Sequence, residues 1–555
     1  MKKTMLQKVL AVALAGIMVL SVAACGGKNS GKLAAPKAEK GVTAGIEGFK
    51  AFEEKVTLKV PVYQRATPNG CADAADNYWT KWVQKEFGDK YNIDVQFVAL
   101  ARGQENELYA LKAADQDLPT ACFEYDYPDL TLYNSEGYLR EYDVDWFKQI
   151  APTYWQAMVD NGLDKYTEIN GENVLLIGTR PYGNTNYQWV TFYRLDWVEA
   201  AGYSEYPADP DEELKMLEKI KSLGLGGAHI LGGTKIEGNG VDQNYAYRTY
   251  PQDELLAATT GDYNIPALST EAQKGFLKKQ NELYNLGYID PEYNTRTADF
   301  AISDFVSGKV ISYSCYATNK VDVLDQFYAA NPNGKLAIRV NPGPKTFADG
   351  SNTAFRPNGI FGEYIGFSSQ ASNDEMKAFA MYLEWMSQPD VLFTLQYGIE
   401  GVNFNYVNGE PVLVGDQSGL AEQQSHNNNV DMWCLVTANL VKGDIDKDLA
   451  AVTPLGYKDS TRFASDIKKN YEGQVACYNA GMVAIDARFT VSIAASDEYK
   501  DTLYAKYAEL RDKIVMGKTA DFEANYKAAS DEYLAAGYQA IIDEKTKAFN
   551  DGNVG

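Results

Sequence analysis

Histidine is almost missing from this chain of 555 residues; His229 and His426 are the only two. A Ser-His-Asp triad or a histidine-built metal site would have to use one of them. His229 lies in GGAHILGG and His426 in the polar stretch SHNNN, settings that suit a satisfied or solvent-facing ring. Cysteine is sparse too, at six residues with no C-x-x-C pair, which removes zinc ribbons and thioredoxin-type redox motifs. Beyond Cys25 the thiols are Cys71, Cys122, Cys315, Cys434 and Cys477, widely spaced and odd in number, so at most two disulfides could form and buried free thiols suit the rest. GxSxG, HExxH, a P-loop and a GxGxxG in strand-to-helix context are all absent. Positive charge is short as well: 52 Lys and Arg stand against 75 Asp and Glu, a net charge of −23. Such a field repels nucleic acid, anionic lipid and polyanionic cargo, leaving a neutral or cationic partner.

Long apolar runs are confined to the N-terminus. Lys2, Lys3 and Lys8 begin it, Val9 to Val22 is almost wholly apolar, and the run closes on SVAACGG. About fourteen apolar residues make a helix of roughly 21 Å, too short to span a bilayer. A basic start, a short apolar middle and a small-residue end describe a secretory signal peptide. Val22-Ala23-Ala24-Cys25 resembles the lipobox of bacterial lipoproteins, which implies cleavage before Cys25 and acyl chains on its sulfur and amino group, a durable anchor. The leader carries three lysines and no acid, so its loss takes the net charge from −23 to about −26. Residues 1–24 are therefore expected as the signal peptide and 25–54, rich in Gly, Lys and Ala, as a lipid-anchored flexible tether. No later stretch is long and apolar enough for a membrane span, which places the body at the extracytoplasmic face of the bacterial cell membrane.

What the chain does contain is aromatic residues, 39 Tyr, 22 Phe and 8 Trp, together with an alternating grammar of strand and helix. KVTLKVPVY alternates Val56, Leu58, Val60 and Val62; YWTKWVQKEFGDKY has helical spacing; NIDVQFVAL alternates again; ENELYALKAADQDLP is a helix stopped by Pro119; TACFEY is a short strand. Strand, helix, strand, helix, strand reads as a parallel α/β layer. The pattern returns in NVLLIGTRPYG and NYQWVTFYRLDWVEAAGY, in the acidic helix start DPDEEL, in FVSGKVISYSCY, and in GEYIGFSSQ with its following helix. The chain from Asp501 onward reads as helices.

Four of these stretches carry a resemblance: WVTFYRLDWVEAAGY (189–203), DPDEELKMLEKIK (209–221), FVSGKVISYS (305–314) and LEWMSQPDVLFTLQYGIEGVNFNYVNGEP (383–411). In this order behind a lipobox, they are similar to the extracellular solute-binding lipoproteins of carbohydrate ABC importers (family 1), the maltodextrin-binding-protein-like branch of large sugar-binding lipoproteins. The resemblance implies an α/β, two-lobed periplasmic-binding-protein-like (type II) fold with a hinge and an inter-lobe cleft that closes over ligand. Residues 55–183 and 362–440 would form lobe 1, and 184–361 and 441–555 lobe 2, with crossings near 181–187 and 361–366. It further implies no catalysis, no cofactor, no metal and no nucleic-acid partner. The implied partners are an oligosaccharide ligand and ABC permease subunits carrying the ATPases on other chains, the protein itself acting as a monomer.

A sugar offers hydroxyl edges and apolar C–H faces, so its binder needs aromatic plates beside Asp, Asn, Glu or Arg. In open α/β sheets ligands bind beyond the carboxyl ends of strands. That selects Tyr63, Gln64 and Arg65 after the first strand, Glu124, Tyr125 and Asp126 after the third, and Tyr313 and Tyr316 at the Gly-Lys-Val strand. The first crossing offers Tyr182, Asn184, Tyr187 and Trp189, and Trp433 in an Asn-rich loop offers a further plate. Trp79, Trp82 and Trp385 lie on helix faces and are assigned to packing, and Asp196 to capping or pairing within its helix. A peptide- or other solute-binding importer component and a lipid-anchored glycoside hydrolase using two carboxylates are the alternatives.

Overall fold

The computed structural model describes residues 33–64, 73–101, 103–180, 182–232, 254–261, 265–296, 298–317, 321–348, 350, 352–353, 355–407, 409–413, 430–438, 445–483 and 487–554. Cys25, Arg65, Cys71 and His426 lie outside them, as does the signal peptide. Strand β1 (Val56–Gln64) forms where the valines and Leu58 alternate, and all four are buried. Asn77 caps the helix Tyr78–Val83 by accepting from the Trp79 and Thr80 N–H groups. Trp79, Val83 and Phe87 drop into the core from this helix and the π turn that prolongs it. Asn92, at φ 58°, then turns the chain into β2 (Ile93–Ala101), which pairs with β1 in parallel from Val56↔Ile93 to Gln64↔Ala101. Beside β1 runs β3 (Ala121–Glu124), joined where the Thr120 N–H donates to the Lys59 carbonyl.

The strands that complete the two sheets are β4 (Leu175–Thr179), β5 (Trp189–Arg194), β6 (Ser312–Tyr316), β7 (Leu336–Ile338) and β8 (Phe361–Phe367). The layer is mixed rather than parallel as its grammar suggested. β8 returns from the second lobe and runs antiparallel between β3 (Tyr364↔Glu124) and β4 (Ile365↔Leu176). In the second lobe β5 lies between β6 and β7, antiparallel to both.

Each sheet has its own apolar core. One draws on residues between Val56 and Ile177 and again between Phe361 and Val436. Two large clusters lie among the described residues of the second lobe. One joins Tyr193–Ala337 to the C-terminal helices through Leu503, Tyr507, Leu510 and Tyr533; the other joins Tyr187–Ile338 to Leu449, Phe463 and Ile467. Where the chain passes between the lobes the crossings hold one another. Arg180 N–H donates to the Ile360 carbonyl at 2.9 Å, Asn358 N–H to Thr185 at 3.0 Å, and Ala438 N–H to Thr179 at 2.7 Å. Gly183 is packed so tightly here that a Cβ would sit 2.4 Å from Ile360 Cα, so only glycine lets the two crossings touch.

One expectation is overturned. Residues 33–54, read as part of a free tether, lie against the first lobe. Arg140 donates to the Leu33 and Ala34 carbonyls, Lys37 pairs with Asp143, and Gln149 both donates to and accepts from the Glu39 backbone. Phe49 packs edge-to-face on Tyr91, its ring centroid 5.5 Å away. The polar partners lie 106 to 110 residues further on, beyond the reach of composition. Among the described residues, Cys122, Cys315, Cys434 and Cys477 are buried and outside any disulfide, and no helix is long and apolar enough to cross a membrane.

Candidate functional site

Register places the site. Glu124, the last residue of β3, pairs with Tyr364, and Phe361 pairs with Thr179, so the carboxyl end of β3 and the crossings share one end of the first sheet. In the second sheet Trp189 begins β5 directly after the first crossing and pairs with Tyr316. The residues at these two ends are therefore the groups that flank the junction of the lobes.

On the first lobe, Tyr63 is buried; its ring meets Phe123 edge-on at 5.0 Å and stacks on Tyr125 at 5.8 Å and 23°. Tyr125 is half-buried, and its hydroxyl donates to Asp431 Oδ1 at 2.8 Å. Glu124 is buried beneath it and accepts the Tyr125 N–H at 2.8 Å. Gln64 is exposed at the end of β1, where its Oε1 accepts from the Ala74 N–H. Carboxylate oxygens of Glu124, Asp126 and Asp129 lie within 4.8 Å of one another, a spacing that could hold a cation. The ammonium of Lys500, from the helix Ala494–Val515 of the second lobe, already pairs with Asp129.

On the second lobe Trp189 and Tyr316 stand out, 46% and 42% exposed, with ring centroids 4.9 Å apart and planes at 88°. Two register steps inward, and so on the same face, Thr191 Oγ1 and Ser314 Oγ share a hydrogen bond of 2.7 Å. This corner presents an aromatic plate, an aromatic edge and two hydroxyls on one strand pair. At the crossing Tyr182 has φ 60°, a left-handed conformation that costs a non-glycine residue about 1–2 kcal/mol. Its ring meets Tyr187 at 6.2 Å and Tyr471 at 6.2 Å. Burial, then the Asp448 carboxylate, pushes its hydroxyl well above the ordinary phenol range, so it stays protonated. Asn184 beside it is half-buried.

Four of the named aromatics make core contacts in this structure, three of them buried and Tyr313 half-buried. Trp433, expected as a plate in an Asn-rich loop, is 2% exposed on the short helix Val430–Trp433, inside the first core. Tyr187 is likewise buried, its ring closed off by Tyr471 at 5.6 Å. Tyr313 lies within β6 and stacks on Phe305 at 5.8 Å, and Tyr63 serves Tyr125 from below. Sequence reasoning passed over Asp431, although it stands two residues before the Trp433 it did select. It also passed over Arg488, whose guanidinium lies 3.4 Å over the Phe361 ring while Nε donates to Tyr364 at 3.0 Å. No motif surrounds Arg488. Asp196, in the first turn of the helix Leu195–Ala200, pairs at 2.6 Å with Arg194, which ends the strand before it.

Two α/β lobes are thus joined by touching crossings, with polar and aromatic groups at the junction ends of both sheets. No protein-family model matches the chain, and no curated protein matches it by sequence. Solved structures do. The alginate-binding protein AlgQ2 is 16% identical, with a TM-score of 0.60 over 90% of this chain and 99% of its own. An extracellular solute-binding protein from Bifidobacterium longum subsp. infantis is 15% identical, with a TM-score of 0.57 over 91% and 100%. The S. pneumoniae ABC-transporter substrate-binding protein FusA, in complex with kestose, is 15% identical, with a TM-score of 0.56 over 89% and 99%. The chain thus has the two-lobed α/β fold of the ABC-transporter solute-binding proteins.

Proposed function

We propose that this protein captures an extracellular, neutral oligosaccharide between its lobes and delivers it to an ABC permease, catalysing nothing itself. The observation that carries this is the exposed Trp189–Tyr316 corner with its Thr191 and Ser314 hydroxyls at the junction. An apolar plate beside hydroxyls answers a sugar's C–H face and hydroxyl edge together, and Tyr125 with Asp431 offers polar groups from the other lobe. The lobes would follow the two cores, divided near 183 and 361 and again near 440. Cys25 would carry the acyl anchor, holding a monomer at the extracytoplasmic face of the membrane. A charge of −23 before processing favours neutral over anionic glycans.

The test is thermal denaturation of the secreted form against panels of neutral oligosaccharides, acidic oligosaccharides and short peptides. A ligand at a hundred times its dissociation constant adds about 2.7 kcal/mol and raises the midpoint measurably. A neutral glycan that shifts the transition and is recovered intact supports the reading. Cleavage of that glycan would replace it with a hydrolase, and a shift by acidic sugars or peptides alone would replace the cargo.

A further inference from the structure

The proposed anchor at Cys25 and the docked N-terminal segment together set where the protein stands. We infer that residues 33–52 are a strap of the folded body and that they hold the Arg140 pole of the first lobe facing the lipid bilayer, within about 29 Å of the anchored residue. The inference rests on the lipoprotein reading of Cys25 and adds to it an orientation and a height.

The strap is built from side chains of the lobe, not from its own propensity. Arg140 is buried, and its guanidinium is the clasp: Nη1 donates to the Ala371 carbonyl at 2.6 Å, and Nη2 to Leu33 O at 3.3 Å, Ala34 O at 3.1 Å and Asn373 Oδ1 at 3.0 Å. Four residues on, Lys37 reaches Asp143 Oδ2 at 2.6 Å. Gln149 then grips the chain three times: its Oε1 accepts the Glu39 N–H at 2.9 Å, its Nε2 donates to Glu39 O at 2.7 Å, and its own carbonyl accepts the Gly45 N–H at 3.0 Å. Ile46, Phe49 and Phe52 pack on the first core, and the Phe52 N–H donates to Tyr91 O at 3.0 Å. The strap thus runs from Arg140 to the start of β1 with polar ties at one end and apolar packing at the other.

The consequence is covalent. Leu33 is eight residues past Cys25 in the sequence. Whatever path they take, eight residues cannot exceed about 29 Å, whereas a tether free to Glu54 could reach about 100 Å. Arg140 N–H bonds to Phe367 O at the far end of β8, so the clasp lies at the opposite end of the first sheet from Phe361 and the crossings. The end of the lobe away from the candidate site is therefore the one leashed to the membrane.

Two measurements on the full chain test this. Trypsin should leave Lys37, Lys40 and Lys50 uncut in the wild type for at least ten times longer than in Arg140→Met or in Gln149→Ala. Gln149→Ala removes only surface ties and keeps the melting transition, so it decides the matter should Arg140→Met fail to fold. Energy transfer is then read from a dye on Asp374→Cys, an exposed position beside Asn373, to labelled headgroups in phosphatidylethanolamine–phosphatidylglycerol vesicles carrying the acylated protein. Strong transfer that falls when Arg140→Met, which opens the clasp on Leu33 and Ala34, is added is the expected result. Cleavage of the wild-type strap as fast as the variants' would overturn the strap. Transfer that is weak, or unchanged on release, would overturn the orientation. A mass showing no acyl group on Cys25 would remove the anchor and the membrane-facing half of the inference, while the trypsin result would still decide the strap.

Discussion

The two lobes bring aromatic residues to their junction in opposite ways. The first lobe spends its rings internally: Tyr63 lies under Tyr125, Trp433 is sealed in the core, and the Tyr125 hydroxyl is committed to Asp431. The second lobe leaves Trp189 and Tyr316 nearly half exposed on a strand pair, braced edge-on against each other. A buried ring is worth its packing and an exposed ring is worth what can be laid on it. On this view the first lobe is a preformed polar end and the second the plate. Truncating aromatics in the two lobes should therefore move different observables.

The largest effect tests the first lobe. Trp433→Ala should cost about 3–5 kcal/mol of folding stability, read by urea denaturation, because it empties a sealed core site. Its effect on the affinity of the molecules that remain folded should be small. A loss of affinity with stability intact would make Trp433 a plate after all and erase the contrast. Next comes the converse, Trp189→Ala. Little packing is lost there, so stability should stay within about 0.5 kcal/mol. Affinity for whichever glycan shifts the melting transition should drop by about 2 kcal/mol, some thirtyfold by calorimetry. Equal losses of stability and affinity would show a packing residue instead. Smaller again is Tyr125→Phe, which keeps the ring and removes one hydrogen bond, costing about 1 kcal/mol of stability. Should affinity fall tenfold while stability holds, the hydroxyl serves the ligand rather than Asp431.

How far the sequence made this legible follows the range of the interactions. Alternation in β1 was plain, since Val56, Leu58, Val60 and Val62 report a local period on one face. The segment order that marked the two-lobed fold was legible for the same reason, and the solved structures bear that fold out. The plates were not separable in advance: Trp189 and Trp433 look alike in sequence, and only contacts made at long range bury one and expose the other. Tyr125 meets Asp431 across 306 positions, and Arg140 clasps Leu33 across 107. A Gly- and Lys-rich stretch carries no periodicity, so its docking depended entirely on Arg140 and Gln149, which composition does not reveal.

The smallest expected effect lies at the seam between the lobes. Asp497, on the helix that sends Lys500 to Asp129, has its carboxyl pushed up to about 6 by burial; Lys500 works against that, while Asp129, Glu544 and Glu136 add repulsion. A carboxyl whose folded value exceeds its unfolded one holds its proton more tightly in the folded protein. It therefore stabilises the fold fully below about pH 4, and that contribution is lost as the pH rises through about 6. Asp497→Asn should flatten this part of the stability–pH curve and leave the protein slightly more stable at pH 7. Lys500→Met should do the reverse, deepening the loss above pH 6 by removing a cation that favours the charged form. If both variants titrate like the wild type, the seam adds nothing to the pH response, and the two lobes differ only in how they hold their rings.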